Sequence, residues 1–360
     1  MKFKRTSSFC FIALFSLFCC SNSTKKFVAD SNVGFSLQPS FSTYSKMKSQ
    51  DAITTKILSD DSGSLFILKE KGDKGYSISD KETGLILESS DHCVSPYYGR
   101  SGDLKYYGPF NYFSNENNKF EHTITKNRFS HLPNSVLDIK ATISKAGKKI
   151  DSNLPLTVSA NGETITRLSN YESLINIGFF DYNKEEYGLE GTCGYVAAAL
   201  CIWYIFINYD LNFIYPHENY IHGFFGYTLE FFQYLIEIGA SMNIGRSTIA
   251  RDVASILMKY GELNNHNIFC PWEFLCTQSR VNESIRKDHP VIIFGNFLYP
   301  DNSGRRGNHA VVVYGVVNKI IEGKQYRYLE VNYGWDGYTS VTILDELLVN
   351  PIGSTCYFQC

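Results

Sequence analysis

A cysteine, a histidine and an asparagine carry most of the chemistry this chain offers. Cys193 lies in Gly191-Thr192-Cys193-Gly194, at the head of an apolar run from Cys193 to Ile207 (CGYVAAALCIWYIFI). That run is hydrophobic nearly all round, so it predicts a helix buried on every side. Thr192 is available as the N-cap, which puts the thiol in the first turn. The unpaired N–H groups and partial positive charge of a helix amino terminus favour thiolate over thiol. The same N–H groups can receive the oxyanion that develops when a thiolate attacks a carbonyl. Taken alone, Cys193 reads as a small apolar residue in a packed helix, as does Cys201 about two turns later.

A partner changes that reading. His309 opens an apolar strand, Asn308-His309-Ala310-Val311-Val312-Val313-Tyr314-Gly315, after the turn-rich loop Asp301-Asn302-Ser303-Gly304-Arg305-Arg306. A second turn, from Asn318 to Gln325, leads into a returning strand, Tyr326 to Asn332. Hairpin geometry brings Asn332 to the same end of the sheet as His309. An imidazole held by an amide oxygen keeps one tautomer, takes the thiol proton and later protonates a leaving amine. Trp335 or Tyr333 is placed to shield that hydrogen bond from water.

The elements that must position these groups follow a helix-then-strand order. Tyr227 to Ile238, Ile249 to Tyr260 and the short Val281 to Lys287 show apolar residues at helical spacing. After Pro290 the pattern becomes β, with Val291 to Phe297, His309 to Val317 and Tyr326 to Asn332. This order predicts an α+β domain, a helical half packed on an antiparallel sheet, over residues 165–360.

These residues resemble the papain-like cysteine peptidases. Gly191-Thr192-Cys193-Gly194-Tyr195-Val196-Ala197 resembles their nucleophile helix, Asn308 to Gly315 their histidine strand, and Val331-Asn332-Tyr333-Gly334-Trp335-Asp336-Gly337 their asparagine and tryptophan turn. Within that clan the last motif is most similar to the streptopain-like group, with Tyr333 in place of a tryptophan, and the strand start at Pro290 also suits the bacteriocin-processing peptidases. The resemblance implies a catalytic Cys193, His309 and Asn332, a thioester acyl-enzyme, a protein or peptide substrate, and neither metal nor organic cofactor. The family commonly places a glutamine about six residues before the nucleophile to complete the oxyanion hole. Tyr187 stands there, and its hydroxyl or a nearby N–H has to substitute; Glu186 and Glu190 would repel an oxyanion. Competing readings on the same scaffold are an acyl transferase or amidase, and a surface binding or adhesion protein that has lost activity.

Ahead of this domain, residues 51–164 read as a smaller β-rich unit with a linker. Ser64 to Leu68, Gly75 to Ser79 and Gly84 to Glu88 predict a small antiparallel meander, Lys105 to Phe113 an aromatic loop, and about 121–163 a polar linker. The meander and Tyr106-Tyr107-Gly108-Pro109 resemble a streptopain-like propeptide, which implies an autoinhibited precursor. Residues 21–50 are Ser-rich and suit a flexible tether.

Lys2, Lys4 and Arg5 followed by the apolar Phe9 to Cys20 predict an export signal over residues 1–20, too short to span a bilayer comfortably. Leu17-Phe18-Cys19-Cys20 is similar to a lipobox, making Cys20 a lipidation candidate and the membrane a tethering partner. Of the 10 cysteines, Cys93, Cys193, Cys201, Cys270, Cys276, Cys356 and Cys360 lie beyond it. An odd number leaves at least one thiol over, with pairing of Cys270 to Cys276 or Cys356 to Cys360 left open. The spacings match no zinc finger or ribbon. A net charge of −2 argues against a nucleic-acid partner, and 44% hydrophobic with 19% charged residues is an ordinary globular balance. Oligomeric state is not legible.

Overall fold

A computed structural model describes residues 53–116, 119–129, 163–176, 191–209, 229–273, 278–298, 306–321, 323–348 and 355–357. The expected signal, the tether, Cys20 and Tyr187 lie outside the described residues.

The chain begins with an antiparallel meander: β1 (Thr54–Ser59), β2 (Leu65–Glu70), β3 (Tyr76–Asp80) and β4 (Ile86–Ser90). Alternation drives it, with Leu58, Phe66, Leu68, Tyr76 and Ile78 facing the core. The turn after β1 is built by the Asp60 carboxylate, which accepts the N–H groups of Ser62 and Ser64. The segment expected as an aromatic loop is instead a hairpin, β5 (Asp103–Tyr106) and β6 (Tyr112–Glu116), with only its tip irregular. Tyr106 and Tyr112 stand directly opposite each other in the register and are both buried, and that burial stabilises strands. The polar stretch beyond it likewise begins in strands, β7 (Lys119–His122) and β8 (Arg128–Phe129).

The second part runs β9 (Thr164–Arg167), α1 (Glu172–Ile175), α2 (Cys193–Asn208), α3 (Leu229–Ser241), α4 (Ala250–Asn264), β10 (Trp272–Glu273), α5 (Gln278–Arg286), β11 (Val291–Leu298), β12 (Arg306–Ile321), β13 (Lys324–Asn332), β14 (Val341–Leu344), α6 (Asp345–Leu348) and β15 (Thr355–Tyr357). Helices followed by strands give the α+β class. α2 is enclosed by α3, α4 and β12, and every residue from Ala197 to Ile205 is buried. β12 is the central strand: its first half pairs with β11, its second half with β13 and β9. A bulge at Tyr314 shifts the register of β12 against β13, between Val313 opposite Val331 and Gly315 opposite Glu330.

Both parts belong to one sheet, in the order β10-β15-β11-β12-β13-β14-β4-β3-β2-β1-β5-β6-β7-β8. The seam is β14 against β4, with Thr342 opposite Ser89 and Ile343 opposite Glu88. The Ser90 hydroxyl donates to the Ser340 carbonyl at 2.6 Å across it. Residues 53–129 therefore supply the neighbouring strand that would otherwise be missing from the edge of β14.

Candidate active site

Cys193 is the first residue of α2, and Gly191, at φ 77°, turns the chain into the helix. Thr192 does occupy the N-cap position, but its side chain makes no capping hydrogen bond; its carbonyl accepts the N–H groups of Tyr195 and Val196. Cys193 is half-buried at the start of an otherwise enclosed helix. Other thiols differ: Cys93 and Cys201 are buried, and burial pushes both up from the ordinary thiol range. Protonated, enclosed thiols are inert, and among the described residues Cys93, Cys193, Cys201 and Cys270 form no disulfide.

His309 lies on β12 opposite Gly295 of β11 and is buried. Its Nε2–H donates to the Tyr333 carbonyl at 2.7 Å. A carbonyl only accepts, so Nε2 carries the proton and Nδ1 is the basic nitrogen of the neutral ring. Trp335 stacks on the imidazole, with centroids 4.2 Å apart and planes at 28°. This indole covers one face of the imidazole.

Asn332 is fully buried at the end of β13, but its amide serves other groups. Nδ2 donates to the Leu174 carbonyl of α1 at 2.7 Å, and Oδ1 accepts the Gly334 N–H at 2.7 Å. In this arrangement the acceptor that holds His309 is the main chain of the next residue, and Asn332 shapes the turn that presents it. Tyr333 N–H donates to the Tyr338 carbonyl, closing that turn. Gly334, at φ 70°, approaches α2 so closely that an added Cβ would meet Val196 Cγ1 at 2.9 Å. Hence the first turn of α2 meets the turn that follows β13, whose Tyr333 carbonyl holds His309.

The β5–β6 hairpin reaches the same place. Phe110, at its tip, packs its ring against His309 (5.1 Å between centroids), Tyr333 (4.7 Å) and Trp335 (6.2 Å). It lies directly over Gly295, where a Cβ would meet Phe110 Cε2 at 2.6 Å. Phe110 adopts φ 70°, a left-handed backbone that costs a non-glycine residue about 1–2 kcal/mol. Its carbonyl accepts the Nε2–H of the buried His122 at 2.6 Å, and that imidazole in turn lies 5.8 Å from Trp335. Strained backbone, a buried hydrogen bond and a glycine slot together hold one aromatic ring against the imidazole.

A second buried group connects to Tyr333 from behind. Glu88 of β4 is fully buried and accepts hydroxyl hydrogens from Tyr76, from Tyr112 at 2.7 Å and from Tyr106 at 3.3 Å. The hydroxyls of Tyr112 and Tyr333 are 3.0 Å apart. Sequence reading gave no role to Phe110, His122 or Glu88. Phe110 carried only the signal of an aromatic run, and Glu88 stood at the end of a strand, where a carboxylate is usually solvated.

No cluster of side chains suited to a metal occurs among the described residues. No helix among them is long and apolar enough to cross a membrane.

No protein-family model matches the chain, and no curated protein matches it. Among solved structures it is similar to a fragment of prointerpain A from Prevotella intermedia, at 14% identity and a TM-score of 0.39, covering 85% of this chain and 98% of that one.

Proposed function

We propose that this chain is an exported cysteine peptidase made as a latent precursor, with Cys193 as nucleophile, His309 as general base and acid, and Trp335 as the shield of the histidine. His309 takes the thiol proton at Nδ1, and the thiolate attacks the scissile carbonyl. The α2 amino terminus receives the oxyanion. The imidazolium then gives its proton to the leaving amine, the C–N bond breaks, and a thioester remains on Cys193. Water, deprotonated by the same imidazole, hydrolyses the thioester and regenerates the thiol. In this reading Asn332 orients His309 indirectly, by shaping the turn whose Tyr333 carbonyl binds Nε2–H. Residues 51–164 are the latency module, with Phe110 as the residue that covers the imidazole. Export through residues 1–20, with tethering at Cys20, belongs to the same proposal.

The observation that carries this reading is the set of contacts at one end of the sheet. The half-buried Cys193 begins a helix whose first turn touches Gly334, and His309 is tautomerically fixed and stacked beneath Trp335 on the adjoining strand. The test is labelling of the full-length protein by an irreversible epoxide inhibitor, with the adduct mapped by mass spectrometry, before and after proteolytic removal of the amino-terminal module. The expected adduct is on Cys193 and forms faster once the module is gone. A folded protein that takes no adduct in either form, and cleaves no casein, excludes the peptidase.

One observation favours a second reading. Asn332 bonds to Leu174 and Gly334 rather than to His309, which suits a surface binding protein that kept the scaffold and lost the reaction. The same labelling separates the two.

A further inference from the structure

Glu88 occupies the point where the two parts of the molecule meet. It lies on β4, in register with Ile343 of β14, and its carboxylate points into a cage of tyrosines drawn from separate elements. Tyr76 comes from β3, Tyr106 from β5, Tyr112 from β6, and Tyr333 from the turn after β13. All of them are buried, and among the described residues Glu88 has no cationic partner. An ionised carboxylate offers about four lone-pair sites and accepts only, while a tyrosine hydroxyl can donate one hydrogen. The cage is therefore satisfied by the anion as far as hydrogen bonding goes, while the absence of water and of a cation disfavours that same anion.

The cage also reaches the catalytic histidine in one covalent step. Tyr333 has its hydroxyl in the cage and its carbonyl on His309 Nε2. Phe110 sits on the hairpin between Tyr106 and Tyr112, two of the caging residues, and its ring touches both His309 and Tyr333. Whatever loosens the cage loosens the hairpin that covers the site and the turn that holds the imidazole.

We propose that Glu88 is a proton-operated latch: protonated, it clamps the amino-terminal module and its Phe110 onto the Tyr333 turn, and ionised, it releases them. Glu88 is thus a positioning residue for His309, acting through Tyr333. The proposal rests on the peptidase precursor reading for its biological use, but the latch itself requires no catalysis.

The sign follows from the environment. Burial raises the Glu88 carboxyl to about 7, against the opposing hydrogen bonds of Tyr76, Tyr112, Tyr106 and Tyr333. The other titratable groups facing it are Cys93 and Tyr97 after β4, and Tyr338 in the Tyr333 turn. All three are pushed up by burial and stay neutral, and the two imidazoles nearby, His122 on the Phe110 carbonyl and His309 on the Tyr333 carbonyl, are distinguished from Glu88 by the Glu88→Gln variant. The docked state binds the proton more tightly than the released state, in which water returns the group towards 4.5. Docking is therefore strongest below about 4.5 and weakens roughly tenfold per pH unit up to about 7, beyond which this group adds no further change. Protonated, the carboxyl donates its own hydrogen within the cage, and the Tyr112–Tyr333 pair reorients to accept it.

Hydrogen–deuterium exchange of the full-length Cys193→Ala protein, corrected for intrinsic rates, tests the latch without any activity. Peptides covering 86–90, 103–116 and 330–340 are expected to open roughly tenfold more per pH unit between about 5 and 7, then level off. Glu88→Gln, neutral throughout, is expected to show no such slope, and Tyr112→Phe, which removes a donor to the anion, to move the plateau to higher pH. An unchanged slope in Glu88→Gln, or a flat wild-type profile, overturns the latch. If Glu88→Gln does not fold, an unshifted plateau in Tyr112→Phe does so. Epoxide labelling of the wild-type protein over the same pH range reports separately on the peptidase. Exchange that follows pH without labelling at any pH leaves the latch standing and excludes the enzyme.

Discussion

Cys193 and Cys201 lie on one helix and differ in how far the fold encloses them. Cys193 stands half-buried in the first turn, while Cys201 is enclosed and its thiol is pushed up by burial and then by Cys270. Iodoacetamide should therefore modify Cys193 in the native module-free protein and Cys201 only after unfolding, which peptide mapping reads directly. Replacing His309 by alanine removes the base, and the rate of epoxide labelling is expected to fall by about 10²–10⁴. Phe110 works in the opposite sense. Phe110→Ala deletes a buried ring worth about 3–5 kcal/mol, and the alanine Cβ still carries the cost of the left-handed backbone. The full-length variant should be less stable to urea than wild type and yet label faster at Cys193. Slower labelling would remove Phe110 from the role of cover.

At the scale of elements, β12 is the strand on which the site depends. Its first half pairs with β11, placing His309 opposite Gly295, and before the bulge at Tyr314 it already pairs with the end of β13, setting Asn332 opposite Val312. Just past the bulge, a Cβ on Gly315 would meet Glu330 Oε2 at 2.1 Å, and that carboxylate receives a bidentate hydrogen bond from Arg167 of β9 at 2.6 Å for each contact. Gly315→Ala must displace this ion pair from between the strands. It is expected to cost about 1–3 kcal/mol in urea denaturation and to slow Cys193 labelling, because β12 and β13 shift against each other. Labelling at the wild-type rate would show that the bulge is uncoupled from the site.

For the molecule as a whole, the seam between β4 and β14 makes the two parts interdependent. Cutting at residue 165 strips β14 of its neighbour and uncovers the Tyr333 hydroxyl that now faces Glu88 and Tyr112. An exposed edge strand beside an opened aromatic cluster invites association. Residues 165–360 made alone are expected to stay folded but to elute from size exclusion as self-associated species, and co-expression with 51–164 to restore a monodisperse complex; a monodisperse 165–360 would contradict this. Stability should also pass through a maximum on the acid side of neutrality. The raised Glu88 carboxyl adds up to about 3 kcal/mol below pH 4.5, lost as pH rises through about 7. Glu121 acts the other way: burial pushes it up, but hydrogen bonds from Arg100 and Arg128 outweigh that and hold it below the ordinary carboxylate range. Its contribution is present above its unfolded value and is lost as pH falls through the lowered one. Urea midpoints measured from pH 4 to 8 check both limbs.

The sequence by itself determined the local grammar. The all-apolar run after Cys193 could only be an enclosed helix, the strands after Pro290 and the meander before residue 90 follow from alternation and turn residues, and the α+β class follows from their order. The pairing of the His309 strand with the Asn332 strand was legible as well, because a hairpin fixes which strand ends lie together. What only the tertiary structure decided is what crosses between distant segments. Asn332 turned its amide to Leu174, far away in sequence, and the Tyr333 carbonyl took the imidazole. Phe110 and Glu88, unremarkable as an aromatic and a strand-end carboxylate, acquired their positions from β4 lying against β14. Periodicity records which face of an element is apolar. It does not record which apolar face that element meets, and the His309 environment is made of such meetings.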